Sequence, residues 1–163
     1  MEYRFRPVKE EDHRALTDIF NYYIENSFAA YRENKIDTTF VEILRRVAGD
    51  HPIYTVESEE GEVTGFGMIH PYHPAETFTR VAELSYFLAP AHTGRGLGTI
   101  LLNRLIEDAR ERGIDTLVAS ISSKNEQSIN FHKKHGFVEC GRFKCIGRKW
   151  GEDFDVIWMQ KFI

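Results

Sequence analysis

The glycine-rich stretch "PAHTGRGLGT", residues 90–99, decides the fold. It follows the apolar run "LSYFL" and precedes "ILLNRLIEDARER", whose apolar residues recur at helical spacing. A strand that enters a helix through such a turn directs several backbone N–H groups, and the positive end of the helix dipole, at one place. Glycine lets the backbone approach a ligand closely and permits a positive φ. The stretch therefore predicts a phosphate-binding turn between a strand and a helix.

The loop alone leaves three interpretations open. A Walker A loop needs a Lys-Ser/Thr pair after its last glycine, whereas Gly98 is followed by Thr99 and Ile100. A Rossmann loop has the spacing G-x-G-x-x-G after a first strand near the N-terminus, and this loop reads G-x-G-x-G in mid-chain. The third interpretation is a tight turn without a ligand. Other segments have to decide among the three.

The whole chain has the length and composition of one domain, residues 1–163. Its net charge of -4, with acidic and basic residues interspersed, argues against nucleic acid as a partner and favours a small molecule. No apolar run is long enough to span a membrane, and no secretory signal is visible, so a cytoplasmic location is expected. Two cysteines, Cys140 and Cys145, are too few for a disulfide framework and are expected to be free thiols.

The periodicity predicts alternating helices and strands. "YRFRPV" is typical of a strand, and "KEEDHRALTDIFNYYIENS" and "DTTFVEILRRVAGD" of helices, the second with Asp37 or Thr38 as N-cap and Gly49 near its end. Two strands flank "EEGE", "TRVAELSYFL" adds a third, and a helix covers residues 97–112. "TLVASIS" predicts a strand, "NEQSINFHKKH" a helix started by Asn125, and the remainder a closing hairpin. The fold class is α/β (α+β), with a largely antiparallel sheet and one strand-helix-strand crossover.

Two segments together resemble the GNAT superfamily of acyl-CoA-dependent N-acetyltransferases. The loop, residues 93–98, resembles the pattern Arg/Gln-x-x-Gly-x-Gly/Ala except at Thr93. The segment "NEQSINFHKKHGF" resembles Asn-x-x-(Ala/Ser)-x-x-Phe-Tyr-x-x-x-Gly-Phe except at His132, which stands where many members of the superfamily have a tyrosine. Three further segments, "IFNYYIENSFAAYRE", "VAELSYFL" and "CIGRKWGEDFDVIWMQKF", resemble the phosphinothricin acetyltransferase-like branch over nearly the whole chain. The resemblance implies a GNAT fold, a mixed and mostly antiparallel sheet with helices on both faces. It also implies direct acetyl transfer in a ternary complex to an amine of the phosphinothricin, methionine sulfone or methionine sulfoximine type, and a homodimer.

Acetyl-CoA is the cosubstrate that the resemblance implies, bound by the loop and by the helix after Asn125. A backbone N–H at the end of the preceding strand would hold the thioester oxygen. Thr93 stands where the family has Arg or Gln, so its phosphate contact is predicted to be weaker or replaced by His92 or Arg95. The predicted cosubstrate contacts are Phe87, Leu88, Ala89, Gly94, Arg95, Gly96, Leu97, Gly98, Thr99, Asn125 and Ser128.

Two titratable residues are candidates for the proton transfers. An amine is mostly protonated near pH 7, so a base must accept its proton, and Glu83 in "VAELSYF" stands where the branch has a glutamate. His132 is placed to protonate the leaving thiolate. The alternatives are a glutamate on a solvated face and a packed or surface histidine.

The acceptor is expected to be held by arginines, because a guanidinium binds a carboxylate or phosphinate bidentately. Arg32 and Arg80 are predicted as clamps, and Tyr31, Phe28 and Phe78 as walls of the pocket. Phe154 replaces a tryptophan common in the branch, which leaves the identity of the acceptor open. The alternatives are a protein N-terminus, a lysine or an aminoglycoside as acceptor, or a non-catalytic acyl-CoA sensor. The two HxxH patterns are weak evidence for zinc, and no metal is expected.

Overall fold

A seven-stranded sheet organises the protein in a computed structural model that describes residues 2–163. The strands are β1 (Tyr3–Pro7), β2 (Ile53–Ser58), β3 (Val63–Pro71), β4 (Val81–Leu88), β5 (Thr116–Ser122), β6 (Val138–Lys149) and β7 (Glu152–Phe162). The helices are α1 (His13–Asn26), α2 (Phe40–Ala48), α3 (Leu97–Glu111) and α4 (Glu126–Lys134). The order across the sheet is β1-β2-β3-β4-β5-β7-β6. These elements match the predicted sequence of helices and strands.

The sheet opens between β4 and β5, which run parallel to each other. These two strands pair only from Val81↔Thr116 to Glu83↔Val118, whereas β4 stays paired with β3 as far as Leu88. Beyond Glu83 the two strands therefore diverge and leave a gap in the sheet. The connection between them runs through α3, which is the predicted crossover.

Helices cover both faces of the sheet, as predicted, and each face has its own hydrophobic core. On one face, here called the α3/α4 face, Leu101 and Leu105 are fully buried against the sheet. On the opposite α1/α2 face, Leu16, Val41 and Phe66 form a second core. Burying one such side chain contributes about 1.5–3 kcal/mol, so the two cores hold the strands in place around the gap.

The starts of α2 and α4 test the predicted caps. Asn125 caps α4 as predicted, because its side-chain oxygen accepts the N–H of Ser128 at 3.2 Å. The predicted cap of α2 at Asp37 or Thr38 is wrong, because Thr39 occupies that position and makes no side-chain cap hydrogen bond. Asp37 instead accepts the backbone N–H of Thr39 at 3.0 Å, which forms a turn ahead of the helix.

A buried ion pair fixes β1 to the turn before α1. The guanidinium of Arg6 donates to both carboxylate oxygens of Asp12, at 2.7 and 2.9 Å, and its Nε donates to Glu57 at 2.6 Å. Burial by itself would raise the pKa of Asp12, but the bonds from Arg6 and from the N–H of Lys9 outweigh it and lower that pKa. The pair therefore stabilises the fold while Asp12 is ionised.

Two further observations bear on the sequence predictions. Cys140 and Cys145 are free and exposed, as expected. Within residues 2–163, none of the helices combines the length and apolar character needed to cross a membrane.

Candidate active site

A cavity of about 810 Å³ occupies the gap between β4 and β5. It passes from one face of the sheet to the other, because its lining includes Tyr23 of α1 and Phe131 of α4. Twelve of the eighteen predicted site residues line it: Tyr31, Arg32, Glu83, Phe87, Leu88, Gly94, Gly96, Gly98, Thr99, Asn125, Ser128 and His132.

The glycine turn forms one end of the cavity, and its glycines serve two purposes. Gly94 and Gly96 have φ of 72° and 79°, the left-handed region that glycine tolerates best. Gly98 lies inside α3, where a Cβ would come within 3.3 Å of the ring of Phe131. Gly96 is the N-cap of α3, so the unpaired N–H groups of the first helical turn lie at the cavity. This backbone suits a pyrophosphate.

Thr93 precedes this turn, and its hydroxyl donates to the carbonyl of Pro90 at 2.9 Å. His92, predicted as a replacement for the phosphate contact, does not line the cavity. Its Nδ1 lies 3.1 Å from the hydroxyl of Tyr3, and its Nε2 lies 3.8 Å from Glu62. The imidazole of His92 therefore contacts β1 and the β2–β3 turn instead of the cavity.

The end of β4 offers a backbone donor to the cavity. The N–H of Ala89 donates to the carbonyl of Thr64 at 2.7 Å, on the side of β3. Because neighbouring residues of a strand direct their N–H groups to opposite sides, the N–H of Leu88 points into the gap. The carbonyl of Leu88 points the same way and accepts the hydroxyl of Tyr23 at 2.6 Å. Of the range Phe87 to Ala89, Leu88 thus carries the donor that faces the cavity.

The start of α4 forms the wall opposite this strand end. Asn125 and Ser128 both line the cavity, as the motif implies. Three other predicted cosubstrate residues do not line it: Ala89, whose N–H is paired with β3, Arg95, whose side chain is exposed, and Leu97, which is buried in the core with 1% exposure.

His132 is buried on the α3/α4 face and paired with Tyr86. Its Nδ1 lies 2.7 Å from the carbonyl of Ser128, so that nitrogen carries the proton. Its Nε2 lies 2.7 Å from the hydroxyl of Tyr86 and accepts a hydrogen bond from that hydroxyl. Burial lowers the pKa of His132 and raises the pKa of Tyr86, so both are neutral near pH 7. His132 therefore presents no proton on Nε2.

Glu83 lies on the α1/α2 face, where β4 and β5 begin to diverge. The hydroxyl of Ser120 donates to Oε1 of Glu83 at 3.2 Å, and Nε2 of His70 lies 4.0 Å from Oε2. The carboxylate is 20% exposed and faces the cavity. It is held from two strands yet remains open to a ligand.

Sequence reasoning missed two residues of this site, Tyr86 and Ser120. Both line the cavity. Tyr86 carried a weak signal, because it lies between Glu83 and Leu88 on the predicted strand. Ser120 lies in "TLVASIS", where no pattern distinguishes it from the serines beside it.

The segment after α1 forms the acceptor end of the cavity. Tyr31 and Arg32 both line it and are exposed. The ring of Tyr31 stacks on Phe154 with centroids 5.6 Å apart. Phe28 does not line the cavity but packs against Phe154 at 5.8 Å, so it supports Tyr31 from behind.

The structure places Phe78 and Arg80 outside the cavity. Arg80 is exposed and lies 3.3 Å from Asp115, at the far end of β4 from the glycine turn. The ring of Phe78 packs against His73 and Tyr72. Neither side chain reaches the cavity, because both precede the strand end at which the sheet opens.

Metal ligands are a separate question. Among residues 2–163, no group of three or more His, Cys, Asp or Glu side chains lies close enough together to hold a metal ion.

Comparisons with known proteins agree with this geometry. The model of the acetyltransferase (GNAT) family matches residues 14–137. The chain belongs to this family and is an N-acetyltransferase with the GNAT fold.

Individual relatives narrow the assignment to the phosphinothricin acetyltransferase-like branch. The L-methionine sulfoximine/L-methionine sulfone acetyltransferase of Salmonella typhimurium is 34% identical over 95% of this chain and 91% of that protein. The phosphinothricin acetyltransferase of Sinorhizobium meliloti, solved with acetyl-CoA, has a TM-score of 0.92 and 25% identity over 100% of this chain and 89% of that one. The ribosomal-protein-alanine N-acetyltransferase of Brucella melitensis has a TM-score of 0.88 and 36% identity over 98% of this chain and 99% of that one. The solved complex supports acetyl-CoA as the cosubstrate.

Proposed function

We propose that the protein transfers the acetyl group of acetyl-CoA to the amine of a small amino-acid-like substrate of the methionine sulfone, methionine sulfoximine or phosphinothricin type. The observation that carries the proposal is the cavity through the β4–β5 gap. It joins the glycine turn at one end to Glu83 and Arg32 at the other, so donor and acceptor can meet inside the sheet. This arrangement favours direct transfer in a ternary complex.

The backbone of the glycine turn and the N-terminus of α3 hold the pyrophosphate. The start of α4, with Asn125 and Ser128, flanks the arm that carries the thioester. The N–H of Leu88 donates to the thioester oxygen as negative charge develops on it. These contacts fix the acetyl group beside Glu83, at the point where the strands part.

Glu83 accepts the proton of the amine, directly or through one water molecule. The amine nitrogen then forms a bond to the acetyl carbon as the carbon–sulfur bond breaks. The electron pair of that bond leaves with the sulfur as a thiolate, the nitrogen loses its second proton to solvent as the amide forms, and Glu83 keeps the first proton until the product leaves. Ser120 orients the carboxylate for this step.

The departing thiolate needs little help, since a parent thiol has a pKa of about 8.5. A proton donated by His132 would require a protonated Nε2, and that nitrogen instead accepts the hydroxyl of Tyr86. We therefore assign His132 to orienting Tyr86, and leave protonation of the thiolate to solvent.

Acceptor recognition rests on Arg32, whose exposed guanidinium suits a carboxylate or phosphinate. The relative from Salmonella typhimurium acts on methionine sulfoximine and methionine sulfone, which carry such a carboxylate. Arg80 and Phe78 have no part in this site, because they lie outside the cavity.

A second acceptor class has one specific observation in its favour. The relative from Brucella melitensis is described as acting on ribosomal protein alanine, and it is 36% identical. An N-terminal peptide is therefore the alternative acceptor.

We also propose a homodimer through β6, an edge strand of the sheet. Val138, Phe143 and Ile146 on β6 are more than half exposed, and exposed apolar side chains on an unpaired edge favour contact with a second copy. Sedimentation of the protein is expected to give twice the chain mass, and a monomer at micromolar concentration would contradict this part of the proposal.

The test of the proposed activity is release of coenzyme A from acetyl-CoA with a panel of amines. The panel contains methionine sulfone, methionine sulfoximine, phosphinothricin, a peptide with N-terminal alanine, a lysine peptide and an aminoglycoside. Turnover with one of the first three supports the proposal. Turnover with peptides or the aminoglycoside alone contradicts it, as does binding of acetyl-CoA without release across the panel.

A further inference from the structure

Lys149, the last residue of β6, is fully buried, with 0% exposure. Its ammonium donates to the carbonyl of Ser27 at 2.7 Å and to the carbonyl of Ala30 at 2.8 Å. These acceptors lie 122 and 119 positions away in the chain. The bonds join the β6–β7 turn to the segment that follows α1.

Burial of a lysine is unfavourable unless its charge is well partnered. Two carbonyl oxygens accept from Lys149, and its Nζ also lies 4.4 Å from the ring centroid of Trp150, within reach of a cation–π interaction. A methionine could fill the same space but could not donate. At this position the two hydrogen bonds that the side chain donates therefore matter, and an apolar side chain of the same size cannot replace it.

Residues 27–33, here called the acceptor segment, contain neither helix nor strand. Their conformation depends on contacts from elsewhere, and residues 149–154, at the end of the β6–β7 hairpin, supply several of these. The N–H of Trp150 donates to the carboxylate of Glu33. Phe28 packs against Trp150 at 5.3 Å, and Tyr31 stacks on Phe154 at 5.6 Å. The end of the β6–β7 hairpin thus contacts the acceptor segment at its start, middle and end.

We infer that Lys149 is a positioning residue for the amine acceptor: its two bonds to the acceptor segment hold Tyr31 and Arg32 at the mouth of the cavity. The inference rests on the proposed function, because it takes this end of the cavity as the acceptor site. Lys149 touches neither substrate. Its effect is therefore on acceptor affinity, and the acetyl-CoA end, formed by α3 and α4, stays as it is.

The test compares Lys149→Met with Lys144→Met, a matched control at an exposed position of the same strand. Loss of the two charged hydrogen bonds is expected to raise the KM for the acceptor about tenfold. The KM for acetyl-CoA is expected to stay within about twofold of the wild-type value, a split that general destabilisation would not produce. Both KM values unchanged, or both raised together, would overturn the inference.

Two further measurements keep the result decisive. Hydrogen exchange of the acceptor segment is expected to quicken in Lys149→Met and not in Lys144→Met, and equal exchange in the two overturns the inference even if no amine is acetylated. Failure of the wild-type protein with every amine would instead refute the proposed function. If Lys149→Met does not fold, Glu33→Ala removes the exposed bond to Trp150, and it is expected to raise the acceptor KM about threefold.

Discussion

Replacement of Glu83 by glutamine tests the proposed base with little change in shape. Glutamine has the same size, and its carbonyl oxygen can still accept the hydroxyl of Ser120 that holds Oε1 at 3.2 Å. The variant therefore loses the ability to take a proton while it keeps its position. A positioned general base contributes about 10²–10⁴ in rate, which corresponds to about 2.7–5.5 kcal/mol. We expect kcat/KM near pH 7 to fall by at least about 100-fold.

The loss of kcat/KM in Glu83→Gln is also expected to become smaller as the pH rises. As the pH rises through the pKa of the amine, the acceptor arrives without its extra proton and needs the base less. The ratio of the wild-type kcat/KM to that of Glu83→Gln should therefore become smaller as the pH rises from about 7 to about 9.

Initial rates of coenzyme A release at saturating acetyl-CoA give the comparison. Glu107→Gln on the exposed side of α3 is the control, and its rates should match those of the wild type. A Glu83→Gln enzyme within about threefold of wild type near pH 7 would refute the reasoning, since a base contributes far more than that.

Three further predictions concern the buried histidine, the glycine turn and the Arg6–Asp12 ion pair. Tyr86→Phe removes the donor to the buried Nε2 of His132, so the free energy of unfolding should fall by about 1–3 kcal/mol and the melting temperature by about 2–10 °C; an unchanged melting temperature contradicts the assigned bond. Gly96→Ala places a Cβ on a residue with φ 79°, which costs roughly 1–2 kcal/mol of backbone strain. Titration with acetyl-CoA should therefore show weaker binding, and an affinity equal to that of the wild type would argue against pyrophosphate binding by the glycine turn. Asp12→Asn breaks the pair with Arg6 and should lower the free energy of unfolding near pH 7 by about 3–5 kcal/mol. Because the pKa of Asp12 is lowered on folding, the stability from this pair is present above about pH 4 and is lost as the pH falls. Denaturant titrations should therefore show a smaller difference between the wild type and Asp12→Asn near pH 3 than near pH 7, and an equal difference at the two pH values would contradict the prediction.

Local patterns were sufficient to predict the order of helices and strands. Apolar periodicity and turn residues act over a few positions, so "TLVASIS" could be recognised as β5 and Asn125 as the cap of α4. The cap of α2 was missed because Asp37, Thr38 and Thr39 are all suitable N-cap residues, and only the backbone decides among them.

The predicted residues reach the cavity most consistently where a motif fixes the backbone. The glycine turn, Glu83 and the start of α4 all reach the cavity, because each occupies a strand end or a helix start. Phe78 and Arg80 were misplaced because three positions separate Arg80 from Glu83 in sequence, whereas the gap in the sheet opens only beyond Glu83.

Long-range polar contacts could not be predicted from one sequence. Nothing near Lys149 indicates that it would be buried against residues more than a hundred positions earlier. The pairing of Tyr86 with His132 likewise depends on α4 packing over β4, which no local pattern encodes.

The measurement that tests the central claim most directly is the ratio of kcat/KM for methionine sulfone to that for a peptide with N-terminal alanine, on the same enzyme with acetyl-CoA. The account predicts a ratio well above one, because Arg32, which lines the cavity, is proposed to hold a carboxylate next to the amine, and a peptide lacks that group there. A ratio below one would contradict it.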